Sequence, residues 1–273
     1  LIMEVVELAE YILKGKSLEE KLISIDEPLS FTLSPKELPS EPGRNSKLQF
    51  SDQTLKFPKK GALATQQNKA IALHSFANHE LLAIEMMAAA LMIFPHQTDE
   101  QVKVKKLIFK NLQDEQKHFQ LYALRLSELG YEFGDFPLND FFWKQMPNLQ
   151  KWEHFLAVMA LTFESANLDF ASYYAEIFRS LDDHTTANIL DIVLKDEISH
   201  VASGAHSLHL WRGNKKLWDY YLESLPLPIT PSRSKGQHFR EDLRYRCGLD
   251  QDFVLSLRNY RDHFSVTSRR EWQ

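Results

Sequence analysis

Two short phrases in this 273-residue chain, Asp114-Glu115-Gln116-Lys117-His118 and Asp196-Glu197-Ile198-Ser199-His200, place an acid and an imidazole at the same spacing. On a helix, Glu and His three residues apart lie on one face about a turn from each other, so both side chains reach a single ion. A lone Glu-x-x-His arises by chance roughly once in a chain of this size; the surroundings of these two set them apart. Glu80 stands 35 residues before Glu115, and Glu164 stands 33 residues before Glu197. An acid recurs five residues beyond each upstream glutamate, Glu85 in one half and Asp169 in the other. The offset between halves is 84 for the upstream glutamates and 82 for the Glu-x-x-His pairs. That regularity reads as the internal duplication of a helical hairpin.

One glutamate from each of two helices, with Glu-x-x-His from each of two others, builds a carboxylate-bridged two-metal site inside a four-helix bundle. The metal-ligand candidates are therefore Glu80, Glu115, His118, Glu164, Glu197 and His200. Four carboxylates balance two divalent ions, and each ion gains one neutral imidazole nitrogen. Oxygen-rich ligation of this kind suits two iron ions, with manganese or a mixed Fe/Mn pair as the alternative, better than structural zinc, which prefers thiolate and imidazole. Asp114 and Asp196 each precede a ligand glutamate and point about 100° away from it, where a carboxylate orients the imidazole of the other half or faces solvent. Glu85 lies about 7 Å along the helix and about 140° around it from Glu80, so Glu85, and by the same reasoning Asp169, ranks behind the ligands as a supporting acid or the partner of another polar residue. The halves differ at one place: Tyr122 follows His118 by four, and its counterpart is Gly204. A missing side chain there either opens a pocket for a small substrate or permits close helix packing.

These residues need four long helices to position them. The apolar periodicity predicts helices over roughly 65–94, 98–130, 148–181 and 184–212, punctuated by a cap at Thr98, by Gly130, and by Asp182 and Asp183. Short connections make the first two helices one antiparallel hairpin and the last two another, and the aromatic loop 131–148 must cross between them. The expected fold is all-α: a ferritin-like four-helix bundle of two hairpins with a long crossover, an N-terminal arm and a C-terminal helical extension. Its divisions fall at 1–60 for a short helical start and a Pro-rich arm, 61–225 for the bundle, and 226–273 for the extension. Ser17-Leu18-Glu19-Glu20 matches a capping box, and prolines at 28, 35, 39, 42 and 58 exclude a long helix from the arm.

Composition narrows the function classes. With 9 Gly and 11 Pro in 273 residues, turn residues are too sparse for a β-rich chain. A net charge of -5 argues against a large nucleic-acid footprint, leaving only a local basic patch at Arg240, Arg244 and Arg246. The single cysteine, Cys247, rules out an intramolecular disulfide framework and fits a reducing compartment. The start, Leu1 to Leu13, carries Glu4, Glu7 and Glu10 and reads as an amphipathic helix, not a signal peptide; the apolar stretch Leu81 to Phe94 is broken by Glu85. A cytoplasmic protein without membrane contact is expected. His74, His79, His154, His206 and His209 lack matched partners in both halves and read as packing or surface residues.

The ligand pattern resembles the ferritin-like di-iron superfamily, which includes ferritins, bacterioferritins, ribonucleotide reductase small subunits and tRNA hydroxylases. Leu73-His74-Ser75-Phe76-Ala77-Asn78-His79-Glu80-Leu81, Leu168-Asp169-Phe170 and Asp196-Glu197-Ile198-Ser199-His200-Val201 look more closely like a bacterial and fungal family of ferritin-like proteins of unknown function. The resemblance runs from about Pro42 to Leu249 and implies a di-iron fold. The expectation is an oxidoreductase that activates dioxygen to oxidise or hydroxylate a small organic substrate, with an external electron donor, in a monomer or homodimer. Two further readings are a ferroxidase for iron storage or detoxification, and a metal-stabilised binding scaffold without catalysis.

Overall fold

The computed structural model describes residues 3–25 and 29–262. The expectations that fall on Leu1, Ile2 and Asp26 to Pro28, and the part of the expected extension over 263–273, lie outside the described residues. Among the described residues the protein is helical apart from a two-residue parallel pairing of β1 (Met3–Glu4) with β2 (Leu29–Ser30) and an isolated parallel bridge between Phe50 and Leu138. Its chain divides into two compact units, Leu1–Pro147 and Asn148–Gln273.

The first unit is built on the hairpin of α3 (Gln66–Ile93) and α4 (Asp99–Glu128). Thr65 caps α3 by accepting from the Asn68 N–H, and Thr98 with Gln101 forms a capping box on α4, so the turn between them is specified on its α4 side. Gly130 ends α4 at φ 79°, a left-handed conformation that a side chain disfavours. Helix α1 (Val5–Lys14) buries Val5, Val6, Leu8, Ala9, Ile12 and Leu13; each large aliphatic among them contributes about 1.5–3 kcal/mol when fully withdrawn from water. The capping box at Ser17 starts α2 (Leu18–Lys21). Helix α3 is long and apolar enough to cross a membrane by length and composition, whereas the sequence pattern alone placed a break at Glu85. Its most apolar stretch is 83% buried inside the protein, as befits a core helix.

Glu85 is wholly buried and meets two cations from the segments around the hairpin: Lys21 Nζ at 2.9 Å and Arg44 at 2.6 Å. Lys21 also donates to the Ile12 and Leu13 carbonyls at the end of α1, and Arg44 donates to the Leu48 carbonyl while its guanidinium lies 4.1 Å over the Phe50 ring. Burial pushes the Lys21 ammonium below the usual lysine range, opposed by the Glu85 charge. One acid on α3 thus fastens both the N-terminal helices and the arm. Gln116, inside the first Glu-x-x-His phrase, adds to this by donating to the Lys21 and Ile23 carbonyls.

His74, also on α3, is enclosed by the aromatic segment that follows α4. Its ring stacks on Phe133 at 4.9 Å and meets the edge of Phe136 at 5.2 Å, and its Nε2 accepts from the Gly134 N–H. Burial pulls its pKa down to about 4. His79 stacks on Phe142 at 5.2 Å. Both are packing residues of the aromatic segment.

In the second unit a long helix runs through α5 (Trp152–Val158), a π-helical segment (Met159–Glu164) and α6 (Ser165–Ser180), then turns into α7 (His184–Trp211). The predicted continuous helix 148–181 therefore starts four residues later and carries a π-helical interruption. Asp183 caps α7 through the Thr186 N–H, and Asp182 takes the left-handed conformation at φ 56° that the three-residue turn requires. After α7 comes α8 (Leu217–Ser224), inside the bounds expected for the bundle, and the extension holds α9 (Glu241–Arg246) and α10 (Gln251–Asn259). Asp169 fastens it: its carboxylate accepts from the Gly236 and Arg240 N–H groups and pairs with Arg244 at 2.7 Å, both side chains fully buried. Arg244 is therefore no part of a basic surface patch, and Arg240 is paired with Asp242. Cys247 is buried, and burial pushes its thiol up to about 12, in keeping with a packing role.

Two outcomes follow. Glu85→Ala leaves Lys21 and Arg44 buried without their counter-charge and should cost about 3–5 kcal/mol in urea unfolding, while Asp252→Ala, which removes an exposed pair with Lys216, should leave the midpoint unchanged. His74 binds a proton near pH 6.5 when unfolded but only near 4 when folded. Stability should therefore fall as pH drops through that window, by about 3 kcal/mol in all from this residue, and level off below it. In His74→Gln, which keeps an acceptor for Gly134, the slope of stability against pH between 4 and 6.5 should flatten by up to one proton.

Candidate metal centre

Each unit gathers one glutamate from the first long helix of its hairpin and a Glu-x-x-His from the second. In the first unit these are Glu80 on α3 and Glu115 and His118 on α4; His118 Nδ1 lies 3.3 Å from a Glu115 oxygen and 3.9 Å from a Glu80 oxygen. In the second they are Glu164, at the end of the π-helical segment, and Glu197 and His200 on α7; His200 Nδ1 lies 3.6 Å from a Glu197 oxygen and 3.9 Å from a Glu164 oxygen. The same ring nitrogen faces the carboxylates in both halves. All six residues are at most 4% exposed, and within each half the three ligand atoms lie within 4.8 Å of one another. Three such groups so close and so buried could hold a metal ion, because a cation offsets the mutual repulsion and desolvation of the carboxylates.

Connection length explains the unequal ligand spacing. Five residues join α3 to α4 and three join α6 to α7, and this difference of two is the difference between the separations of 35 and 33. The acids that flank the ligands sort differently. Asp114 and Asp196 are half-buried on the same helices as the Glu-x-x-His pairs, whereas Glu85 and Asp169 serve as the anchors described above.

Sequence reasoning passed over two features. Asn167, one turn beyond Glu164, donates from Nδ2 to Glu197 Oε1 at 2.8 Å, and its counterpart in the first half is Ala83. The Ala83/Asn167 mismatch was the available signal. The π-helical segment gave no comparable sign: Thr162 Oγ1 bonds back to the Ala157 carbonyl at 2.8 Å and meets the buried Tyr221 hydroxyl at 2.8 Å, so a contact from α8 helps define the turn that carries Glu164. Single-turn π segments inside α-helices frequently occur at functional sites.

Of the two readings of Gly204, the contact with Ala160 favours close packing. A Cβ at 204 would lie 2.2 Å from the Ala160 Cβ, inside the π-helical segment, so the glycine permits close helix packing. Its counterpart Tyr122 is buried and packs its ring 5.5 Å from Phe76. Phe76 and Ala160 are themselves counterparts at the offset of 84. An aromatic pair in one hairpin is thus replaced by a pair of small residues in the other, and the difference between Tyr122 and Gly204 is one half of a packing exchange. Gly204→Ala should cost about 1–3 kcal/mol in thermal or urea unfolding by overpacking, and adding Ala160→Gly should recover most of the loss.

Comparison with known proteins locates the chain without assigning it an activity. An uncharacterized protein of Haemophilus influenzae is 31% identical over 156 residues, which cover 55% of this chain and 54% of the relative, so the match spans about half the relative's length. No solved structure matches the chain. A family model matches residues 6–255, a stretch that contains both Glu-x-x-His phrases and both upstream glutamates. The chain belongs to the family described as "Protein of unknown function (DUF455)".

Proposed function

We propose that the two Glu, Glu-x-x-His clusters act together as one carboxylate-bridged two-metal centre of a ferritin-like four-helix bundle, and that the protein is a di-iron oxidoreductase acting on a small organic substrate. The observation that carries this reading is the repetition of the same buried donor set, with the same imidazole nitrogen facing its carboxylates, in each unit. Each half alone offers three protein ligands and two negative charges. That balances one divalent ion, and both halves together supply six ligands and four charges for two.

The donor chemistry fits iron. Carboxylates with one imidazole per ion favour iron or manganese, and no cysteine belongs to either cluster. A pair of ferrous ions held there would supply electrons to dioxygen, with an external donor restoring them. The chain's own residues do the rest. Glu80, Glu115, Glu164 and Glu197 hold charge in a site withdrawn from water, and the Asn167 amide fixes one oxygen of Glu197. Thr162 and Tyr221 set the π-helical turn that presents Glu164. Asp114 and Asp196 orient the imidazoles in this reading.

Anaerobic loading with Fe(II), followed by oxygen, tests the proposal. Two irons per chain and stoichiometric oxygen consumption are expected, with at least half the metal and the oxygen uptake lost in Glu115→Ala and in Glu197→Ala. Two bound irons with no oxygen uptake would overturn the oxidase function, and full metal content in both variants would overturn the ligand set. Removing the metal with a chelator should lower the melting temperature, since the folded state alone binds the ions tightly.

A further inference from the structure

Glu164 closes the π-helical segment, and the backbone on both sides of it is held from outside its own helix. A π turn bonds its backbone five residues apart instead of four, so where it joins α-helix the regular ladder is interrupted and buried carbonyls there need other donors. Side-chain hydroxyls supply two. Thr162 Oγ1 donates to the Ala157 carbonyl at 2.8 Å, and Ser234 Oγ, from the segment that follows α8, donates to the Leu161 carbonyl at 2.7 Å. A hydroxyl has one hydrogen. With the Thr162 hydrogen committed to Ala157, the Tyr221 hydroxyl on α8 is the donor in its 2.8 Å contact with Thr162. On the other side of Glu164, an Nη of Arg244 on α9 donates to the Ser165 carbonyl at 3.3 Å and to the Ser234 carbonyl at 2.8 Å. Thr162, Ser165, Tyr221, Ser234 and Arg244 are all wholly buried, so water does not compete for these bonds. In the first half the counterpart of Thr162 is Asn78, whose amide donates to the Asn139 carbonyl at 3.3 Å, and Glu80 is presented by regular α-helix.

We propose that Tyr221 and Ser234 are positioning residues for the second half of the metal centre: through Thr162 and the Leu161 carbonyl they hold the π turn that keeps Glu164 beside Glu197 and His200. The inference rests on the two-metal reading above and deepens it, because it makes the segment that follows α8 part of what sets the site. Tyr221 and Ser234 act through the backbone of the turn, so removing either hydroxyl leaves all six ligands in the chain and alters only how one of them is presented. Glu80, Glu115 and His118 belong to the other hairpin and do not depend on this turn. The two ions therefore respond unequally to the loss of either hydroxyl.

Titration of the metal-free full chain with Co(II), followed by visible absorption, gives a dissociation constant for each ion. Tyr221→Phe, Ser234→Ala and Thr162→Val each remove one hydroxyl and should weaken one of the two constants by about tenfold or more, the usual effect of disturbing a group behind a ligand, while the other stays within about threefold. Thr162→Ser keeps the hydroxyl and should retain both constants. Ser224→Ala removes a buried serine hydroxyl of the same kind, bonded to the Tyr220 carbonyl at 2.8 Å, and should retain them too. That control separates positioning from a general loss of stability. If wild-type protein binds two Co(II), then unchanged constants in Tyr221→Phe and Ser234→Ala, equal weakening of both ions, or the same weakening in Ser224→Ala would each overturn the positioning role alone. Wild-type protein that binds fewer than two Co(II) would overturn the two-metal reading, and the positioning role with it.

Discussion

A carboxylate taken from water into a helical interior costs several kcal/mol unless a cation or a set of donors meets it, and this chain commits six of them to its long helices: Glu80, Glu85, Glu115, Glu164, Asp169 and Glu197, all at most 4% exposed. The structure meets that cost in two ways. Glu85 and Asp169 are met by Lys and Arg side chains from the terminal segments, and so act as the points where those segments are fastened. The other four are drawn together with an imidazole in each half, an arrangement that becomes favourable when a metal ion supplies the positive charge. The terminal segments, the hairpins and the candidate metal centre all follow from where the buried negative charge is placed.

The two hairpins share a charge pattern while their packing differs. In the first half Phe76 and Tyr122 fill the space between the helices. In the second, Ala160 and Gly204 occupy the equivalent positions and let the helices touch. The π-helical segment lies at that close contact and ends on Glu164, so the second half presents its upstream glutamate from a widened turn while the first presents Glu80 from a regular α-helix. A wider turn changes the direction of the side chain at its end without changing the sequence spacing that places it on the helix. Asn167 beside Glu197, against Ala83 in the other half, extends the same asymmetry to the ligands themselves.

Helix α3 shows how much one element carries. One face bears Glu80, Glu85 is held by the N-terminal segments, and His74 is enclosed by the aromatic segment. A helix buried on all sides has no solvent-facing stripe, so hydrophobic periodicity does not reveal which face does what. Its apolar stretch resembles a membrane span in composition for the same reason, and only its packing identifies it as a core helix.

Much of the local architecture was legible in the residues. The bounds of α3, α4 and α7, the capping box at Ser17, the caps at Thr98 and Asp183 and the stop at Gly130 are written in short-range rules of hydrogen bonding and backbone sterics, and the all-α class follows from them. The repeated Glu-x-x-His spacing likewise names the residues of each cluster, because helical geometry puts residues three apart on one face. Other features depend on partners far away in the chain, and no local rule encodes them. Lys21 and Arg44 converge on Glu85, Arg244 converges on Asp169 from 75 residues away, and Gly204 exists for a contact with Ala160. A sequence lists the charges that must be buried; only the tertiary structure decides which of them receive a protein cation and which are gathered around an imidazole.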